Sequence, residues 1–136
     1  MYPEPLVKPM KEELTAVGFQ ECLNAASVDT AIAESGTVLM FVNSVCGCAA
    51  GAARPGIKSS LKNGKVPAKL FTVFAGFDVE ATARARKHFS PYPPSSPAIA
   101  LFKDGKLVHF VERHNIEGRT AGMISSHLQE VFNEFC

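Results

Sequence analysis

Val38-Leu39-Met40-Phe41-Val42-Asn43-Ser44-Val45-Cys46-Gly47-Cys48 sets five consecutive apolar residues just ahead of two cysteines one residue apart. An unbroken apolar run of this kind suits a strand buried on both faces of a sheet, predicted over 37–42. The small residues Ala49-Ala50-Gly51-Ala52-Ala53 follow and are compatible with a helix, so the dithiol falls at a strand-to-helix turn. At a helix start the unpaired N–H groups and the positive end of the dipole favour thiolate over thiol. Reactive cysteines occupy such positions.

Outward from this segment, helical and strand patterns alternate. Val7, Met10, Leu14 and Val17 recur at helical spacing, with Pro9 tolerated in a first turn and Gly18 as the stop, which predicts a helix over 7–17. A short strand is predicted over 19–23. Ser27 is the expected cap of a helix that Gly36 terminates. After the dithiol, a helix over 48–62 contains Pro55 and Gly56, and an interior proline removes a hydrogen bond, so a kink is expected there. Residues 70–75 give a second buried strand, and Asp78 is the expected cap of a helix reaching Phe89. The apolar runs 98–102 and 107–111 flank Asp104-Gly105, a hairpin signal. Met123, Ile124, Leu128, Val131, Phe132 and Phe135 trace one face of a closing helix.

This order defines an α/β chain with a mixed central sheet flanked by helices and an additional N-terminal helix. It matches the thioredoxin-like fold, expected as a single domain over 1–136. In that fold the redox cysteines start the helix after the first central strand and a cis-proline opens the strand facing them. Ser96-Pro97 stands at that place before the 98–102 strand.

Composition narrows the function. With 136 residues, 46% hydrophobic and 20% charged, the chain can bury a full core without staples. A net charge of +1 and the lack of a long Lys/Arg block argue against nucleic-acid and anionic-membrane partners. The start, Met1-Tyr2-Pro3-Glu4-Pro5, lacks the charged and apolar regions of a signal peptide, so a cytoplasmic location is expected. In a reducing cytosol the four cysteines, Cys22, Cys46, Cys48 and Cys136, point to catalysis or metal binding rather than to a disulfide scaffold.

Asn43-Ser44-Val45-Cys46-Gly47-Cys48-Ala49-Ala50-Gly51 followed by Ala53-Arg54-Pro55 resembles the active-site segment of the bacilliredoxins, thioredoxin-like proteins with a Cys-Gly-Cys motif. Val73-Phe74-Ala75-Gly76, Pro94-Ser95-Ser96-Pro97, Val108-His109-Phe110, Arg113-His114 and Ile116-Glu117-Gly118 match collinearly, so the resemblance covers nearly the whole chain. It implies a thiol–disulfide oxidoreductase that removes bacillithiol, a small cytosolic thiol, from protein mixed disulfides. By that analogy Cys46 attacks and Cys48 resolves, bacillithiol is the thiol co-substrate in place of a cofactor, and bacillithiolated proteins are the partners. Weak disulfide isomerase activity is also implied.

The residues support these roles on their own. Cys46, outside the first helical turn, is the more reachable sulfur, which favours it as nucleophile. Residues two apart on a helix do not face each other, so closing Cys46 onto Cys48 must draw on the freedom of Gly47. The resulting disulfide is expected to be strained and readily reduced. Gly47, Ser96 and Pro97 are the candidate substrate-binding positions, Pro97 because a cis bond would present the Ser96 backbone to an extended substrate. A metal-binding module built on Cys46, Cys48 and a histidine is the competing reading, although no second C-x-C or close histidine pair completes a ligand set, so no metal site is assigned. A non-catalytic adaptor would not need both thiols. Cys22 reads as a buried small residue and Cys136 as an exposed bystander, although a mobile terminus would let it reach the dithiol. Arg54 reads as a solvated charge, His109 as a satisfied strand residue, and His114 beside Arg113 as a candidate source of positive potential. Arg84, Arg86, Lys87 and His88 complement a helix end. Gly51 and Gly56 read as allowing close packing of helix on sheet.

Overall fold

Every residue of β2, Thr37–Asn43, is buried. Val38, Met40 and Val42 join one apolar cluster and Leu39 and Phe41 the other, because successive strand side chains point to opposite faces. The computed structural model describes residues 2–136 and has this strand at its centre. The sheet runs β1 (Gln20–Glu21), β3 (Lys69–Phe74), β2, β4 (Ala98–Lys103), β5 (Lys106–Val111). β3 is parallel to both β1 and β2, while β4 pairs antiparallel with β2, and β5 antiparallel with β4. Helices α2 (Ala25–Ala33) and α4 (Val79–Lys87) bury Val28, Ile32, Ala81 and Ala85 against the Met40 face. On the Phe41 face α1 (Glu4–Thr15), α3 (Arg54–Ser60) and α5 (Ala121–Phe135) contribute Leu14, Ile57, Ile124 and Leu128. Each such buried Val, Leu or Ile side chain is worth about 1.5–3 kcal/mol relative to exposure.

The segment after the dithiol takes an unexpected form. Residues Ala49–Ala53 form a π-helical turn in which the Arg54 N–H donates to the Ala49 carbonyl, five residues back. The wider turn precedes Pro55, which has no N–H and would crowd the carbonyl four residues earlier. The expected kink is thus realised as a π-bulge, and the helix ends at Ser60 rather than 62. A Cβ on Gly56 would stand 2.7 Å from the Ile124 Cβ, so this glycine lets α3 approach α5 rather than the sheet. Gly51 has open space around it and serves no close packing.

Several helix ends differ from expectation. α1 begins at Glu4, with a proline in its first turn where the missing N–H costs no bond, and Pro9 lies inside it. Val17 falls beyond that helix and is exposed. Asn24, not Ser27, caps α2: its Oδ1 accepts the Ser27 N–H at 2.8 Å while the Ser27 Oγ accepts the Asn24 N–H at 3.3 Å. Asp78 gives α4 no side-chain cap, because its carboxylate is taken by Lys11 at 2.8 Å, an ion pair joining α1 to the α4 start. Met123 is exposed and leaves the buried face of α5 to Ile124, Leu128, Val131 and Phe132. The β4–β5 hairpin turns through Asp104 and Gly105 at φ 50° and 80°, the left-handed pair the Asp-Gly sequence favours.

Candidate active site

At the carboxyl end of β2, Asn43 and Ser44 turn the chain into the dithiol. The Asn43 Oδ1 accepts the Ser44 N–H at 2.9 Å, and the Ser44 Oγ accepts the Cys46 N–H at 2.9 Å. The Cys46 carbonyl accepts the N–H groups of Ala49 and Ala50 at 3.0 and 3.2 Å, which starts the helix there. The sulfurs of Cys46 and Cys48 lie 2.8 Å apart, so one thiol donates to the other.

Arg54 lies beneath this turn. It is 2% exposed, which overturns its reading as a solvated charge. Its Nη1 donates to the Ser44 carbonyl at 2.8 Å and the Asn43 Oδ1 at 3.0 Å, and its Nε donates to Glu13 at 3.0 Å. The Asn43 Nδ2 donates in turn to the Met10 carbonyl at 3.1 Å. A buried charge is tolerated when its donors are satisfied, and here a side chain of the helix following the dithiol fixes the backbone preceding it. Asn43 and Arg54 are the positions the sequence reading underrated. Their signal was an Arg beside Pro55 and a polar residue ending an apolar strand.

The Ser96-Pro97 bond is cis, as expected, and so is Ser90-Pro91, which was not foreseen. Ala98 pairs with Val42, which places Pro97 at the same sheet end as the dithiol turn. Arg113 donates through Nη1 to the Ser96 carbonyl and through its backbone N–H to the Ser95 Oγ, both at 3.3 Å, while its Nε donates to Glu117 at 2.8 Å. Its charge acts on both thiols. The positive potential suspected of His114 therefore comes from its neighbour, since His114 instead contacts Glu112 at 3.0 Å.

The two thiols are held apart in acidity. The hydrogen bond from Cys48 pulls the Cys46 thiol below the usual cysteine range, aided by backbone N–H groups and Arg113 and opposed by burial. Burial pushes Cys48 up to about 11, with the Cys46 hydrogen bond and charge adding to it. A thiolate on Cys46 beside a protonated Cys48 is the arrangement a nucleophile and its resolving partner require.

The remaining candidates lie elsewhere. Cys22 is buried, with its Sγ 3.7 Å from the Ser27 carbonyl and its thiol pushed up to about 11 by burial. Cys136 is exposed and has Thr37, Lys103 and Lys65 as neighbours, at the opposite end of β2 from the dithiol. His109 meets His127 at 2.9 Å. Arg84 and His88 both bind Asp29, at 2.6 and 2.8 Å, and so join α4 to α2. Among the described residues no group of three or more His, Cys, Asp or Glu side chains could hold a metal ion, and no helix is long and apolar enough to cross a membrane.

Solved structures similar to the chain include thioredoxins. A thioredoxin variant from Halobacterium salinarum aligns with a TM-score of 0.61 at 15% identity, covering 87% of this chain and 90% of that one. Mitochondrial thioredoxin 3 of Saccharomyces cerevisiae gives 0.59 at 13% identity, with 90% and 98% coverage. The sequence profile of the family described as "Disulphide isomerase" matches residues 2–136. A bacilliredoxin of Cytophaga hutchinsonii is 59% identical over 98% of this chain and 99% of its own length. One from Koribacter versatilis is 50% identical with 100% and 94% coverage, and one from Staphylococcus aureus 43% identical with the same coverage. The fold is that of thioredoxin, and the chain is a thiol–disulfide oxidoreductase. It belongs to the bacilliredoxin family.

Proposed function

We propose that this oxidoreductase removes bacillithiol from cytosolic proteins that carry it as a mixed disulfide. The bacilliredoxin relatives support bacillithiol as the thiol removed, and the split acidity of the two thiols, with Cys46 lowered and Cys48 raised, supports their attacking and resolving roles. The Cys46 thiolate attacks the bacillithiol sulfur; a new sulfur–sulfur bond forms, the old one breaks, and the protein thiolate departs and takes up a proton. With Cys46 now neutral, the thiolate charge that held the Cys48 proton in place is gone. Cys48 then attacks the Cys46 sulfur, the Cys46–bacillithiol bond breaks, and the expelled bacillithiol thiolate takes up the proton that Cys48 gives up, leaving a Cys46–Cys48 disulfide. Alternatively a second bacillithiol attacks the adduct and leaves as bacillithiol disulfide. In both routes the modified protein is reduced by two electrons. Gly47 supplies the backbone freedom for closure, and the Ser96 and Pro97 backbone, braced by Arg113, receives the extended substrate.

The family profile's description favours one second reading, weak isomerisation of protein disulfides by the same pair. The deciding experiment follows de-bacillithiolation of a model protein by mass spectrometry with wild type, Cys46→Ser and Cys48→Ser. Cys48→Ser should accumulate the adduct on Cys46, and Cys46→Ser should lose transfer. Transfer by Cys46→Ser at the wild-type rate would sink the mechanism. Rapid turnover of glutathione adducts with none of bacillithiol adducts would retain the class and replace the thiol.

A further inference from the structure

A cavity of about 240 Å³ lies where β5, the turn after it and α5 meet, apart from the dithiol. Its floor is apolar, formed by Ile99, Val111, Ile124 and Leu128, all buried. Its polar lining is His109, His127, Asn115 and Arg119, all able to donate hydrogen bonds, with no carboxylate among them. Arg119 makes no ion pair among the described residues, unlike Arg54, Arg84 and Arg113. The Asn115 Oδ1 is engaged by the Glu112 N–H at 3.3 Å, and its amide donors, on an exposed side chain, have no partner among the described residues. The Nε2 atoms of His109 and His127 meet at 2.9 Å, so one N–H is spent on the other ring's lone pair. A negative group between the rings accepts from both once the acceptor Nε2 also carries a proton, which its charge favours. Three carboxylates adjoin the lining without belonging to it: Glu134, which acts on His109, Glu130 in the neighbouring groove, and Glu112, which accepts the Asn115 backbone N–H and contacts His114.

We propose that this cavity binds a small carboxylate-bearing molecule, its carboxylate held by Arg119 and the histidine pair and its carbon skeleton resting on Ile99 and Val111. The volume falls below the roughly 300–1,000 Å³ of drug-sized pockets, so the ligand is a compact organic acid. A planar guanidinium matches a carboxylate with two parallel bonds, and an apolar floor beside donors discriminates such an acid from inorganic anions.

The test titrates the full-length reduced chain with succinate, and separately with uncharged succinamide, following the His109 and His127 imidazole resonances. Succinate should give saturable shifts at both rings and succinamide none. Arg119→Gln changes an exposed side chain and should keep the amide spectrum elsewhere while weakening succinate binding at least about tenfold. Equal shifts from succinamide, shifts that never saturate, or unaltered binding by Arg119→Gln would each overturn the proposal. So would stoichiometric zinc binding at the two imidazoles with no response to succinate, which would make the pair a metal site. The readout is binding at the histidines, so its outcome is independent of whether bacillithiol is the thiol transferred at Cys46.

Discussion

At Cys46 three influences act in one direction: the Cys48 thiol donates to it, backbone N–H groups at the helix start point toward it, and the Arg113 charge lies near. A group stabilised as its anion loses its proton at lower pH, so alkylation of Cys46 should begin to slow at a lower pH than for an ordinary cysteine as pH falls. Cys48, raised to about 11, should stay largely unlabelled over the same range. Brief alkylation followed by peptide mapping should find Cys46 labelled well before Cys22, Cys48 and Cys136, and first labelling elsewhere would refute the assignment. Arg113→Gln should move the Cys46 rate profile toward higher pH. Because Arg113 is solvated, salt should shrink that difference.

At the scale of elements, the dithiol rests on a π-turn, a kinked helix and a close α3–α5 crossing. Gly56 lacks the Cβ that would collide with Ile124 and with the Ala121 carbonyl at 3.0 Å. Gly56→Ala should therefore cost about 1–3 kcal/mol through overpacking, despite alanine's better helix propensity. Urea denaturation would measure it, and a stability equal to or above wild type would show that the helices can separate without penalty. The substitution was not legible as a helix–helix constraint from sequence, since a glycine next to a proline reads as an interruption of one helix. Only the arrival of α5, more than sixty residues later in the chain, gives it a packing role.

Across the whole molecule, the ends of β2 separate the two outer thiol sites. The dithiol follows Asn43, whereas Cys136 adjoins Thr37. Six steps of strand at roughly 3.3 Å each place them about 20 Å apart. α5 holds the terminus there through the Cys136 N–H bonded to the Phe132 carbonyl at 2.8 Å, so the mobile-tail route to the dithiol is closed. Cys136→Ser should leave adduct transfer at the wild-type rate. Mapping of the oxidised monomer should find no Cys46–Cys136 link; finding one would require α5 to detach.

The sequence by itself determined the α/β class, the central strand, the hairpin and the placement of two thiols at a helix start. Those signals are local: an apolar run of strand length, an Asp-Gly turn, and small residues following cysteines. The cis Ser96-Pro97 and its sheet end were legible through the family pattern. What only the tertiary structure decided are interactions between residues far apart in the chain. Arg54 is buried because Glu13 from α1, Asn43 at the end of β2 and Ser44 just after it converge on it. Asp78 leaves its cap because Lys11 reaches it, and Arg113 rather than His114 addresses the thiols because a loop folds back onto Ser96. A charged side chain's partner is set by distance in space, and residue type and spacing along the chain do not encode that distance until the sheet and its helices have packed.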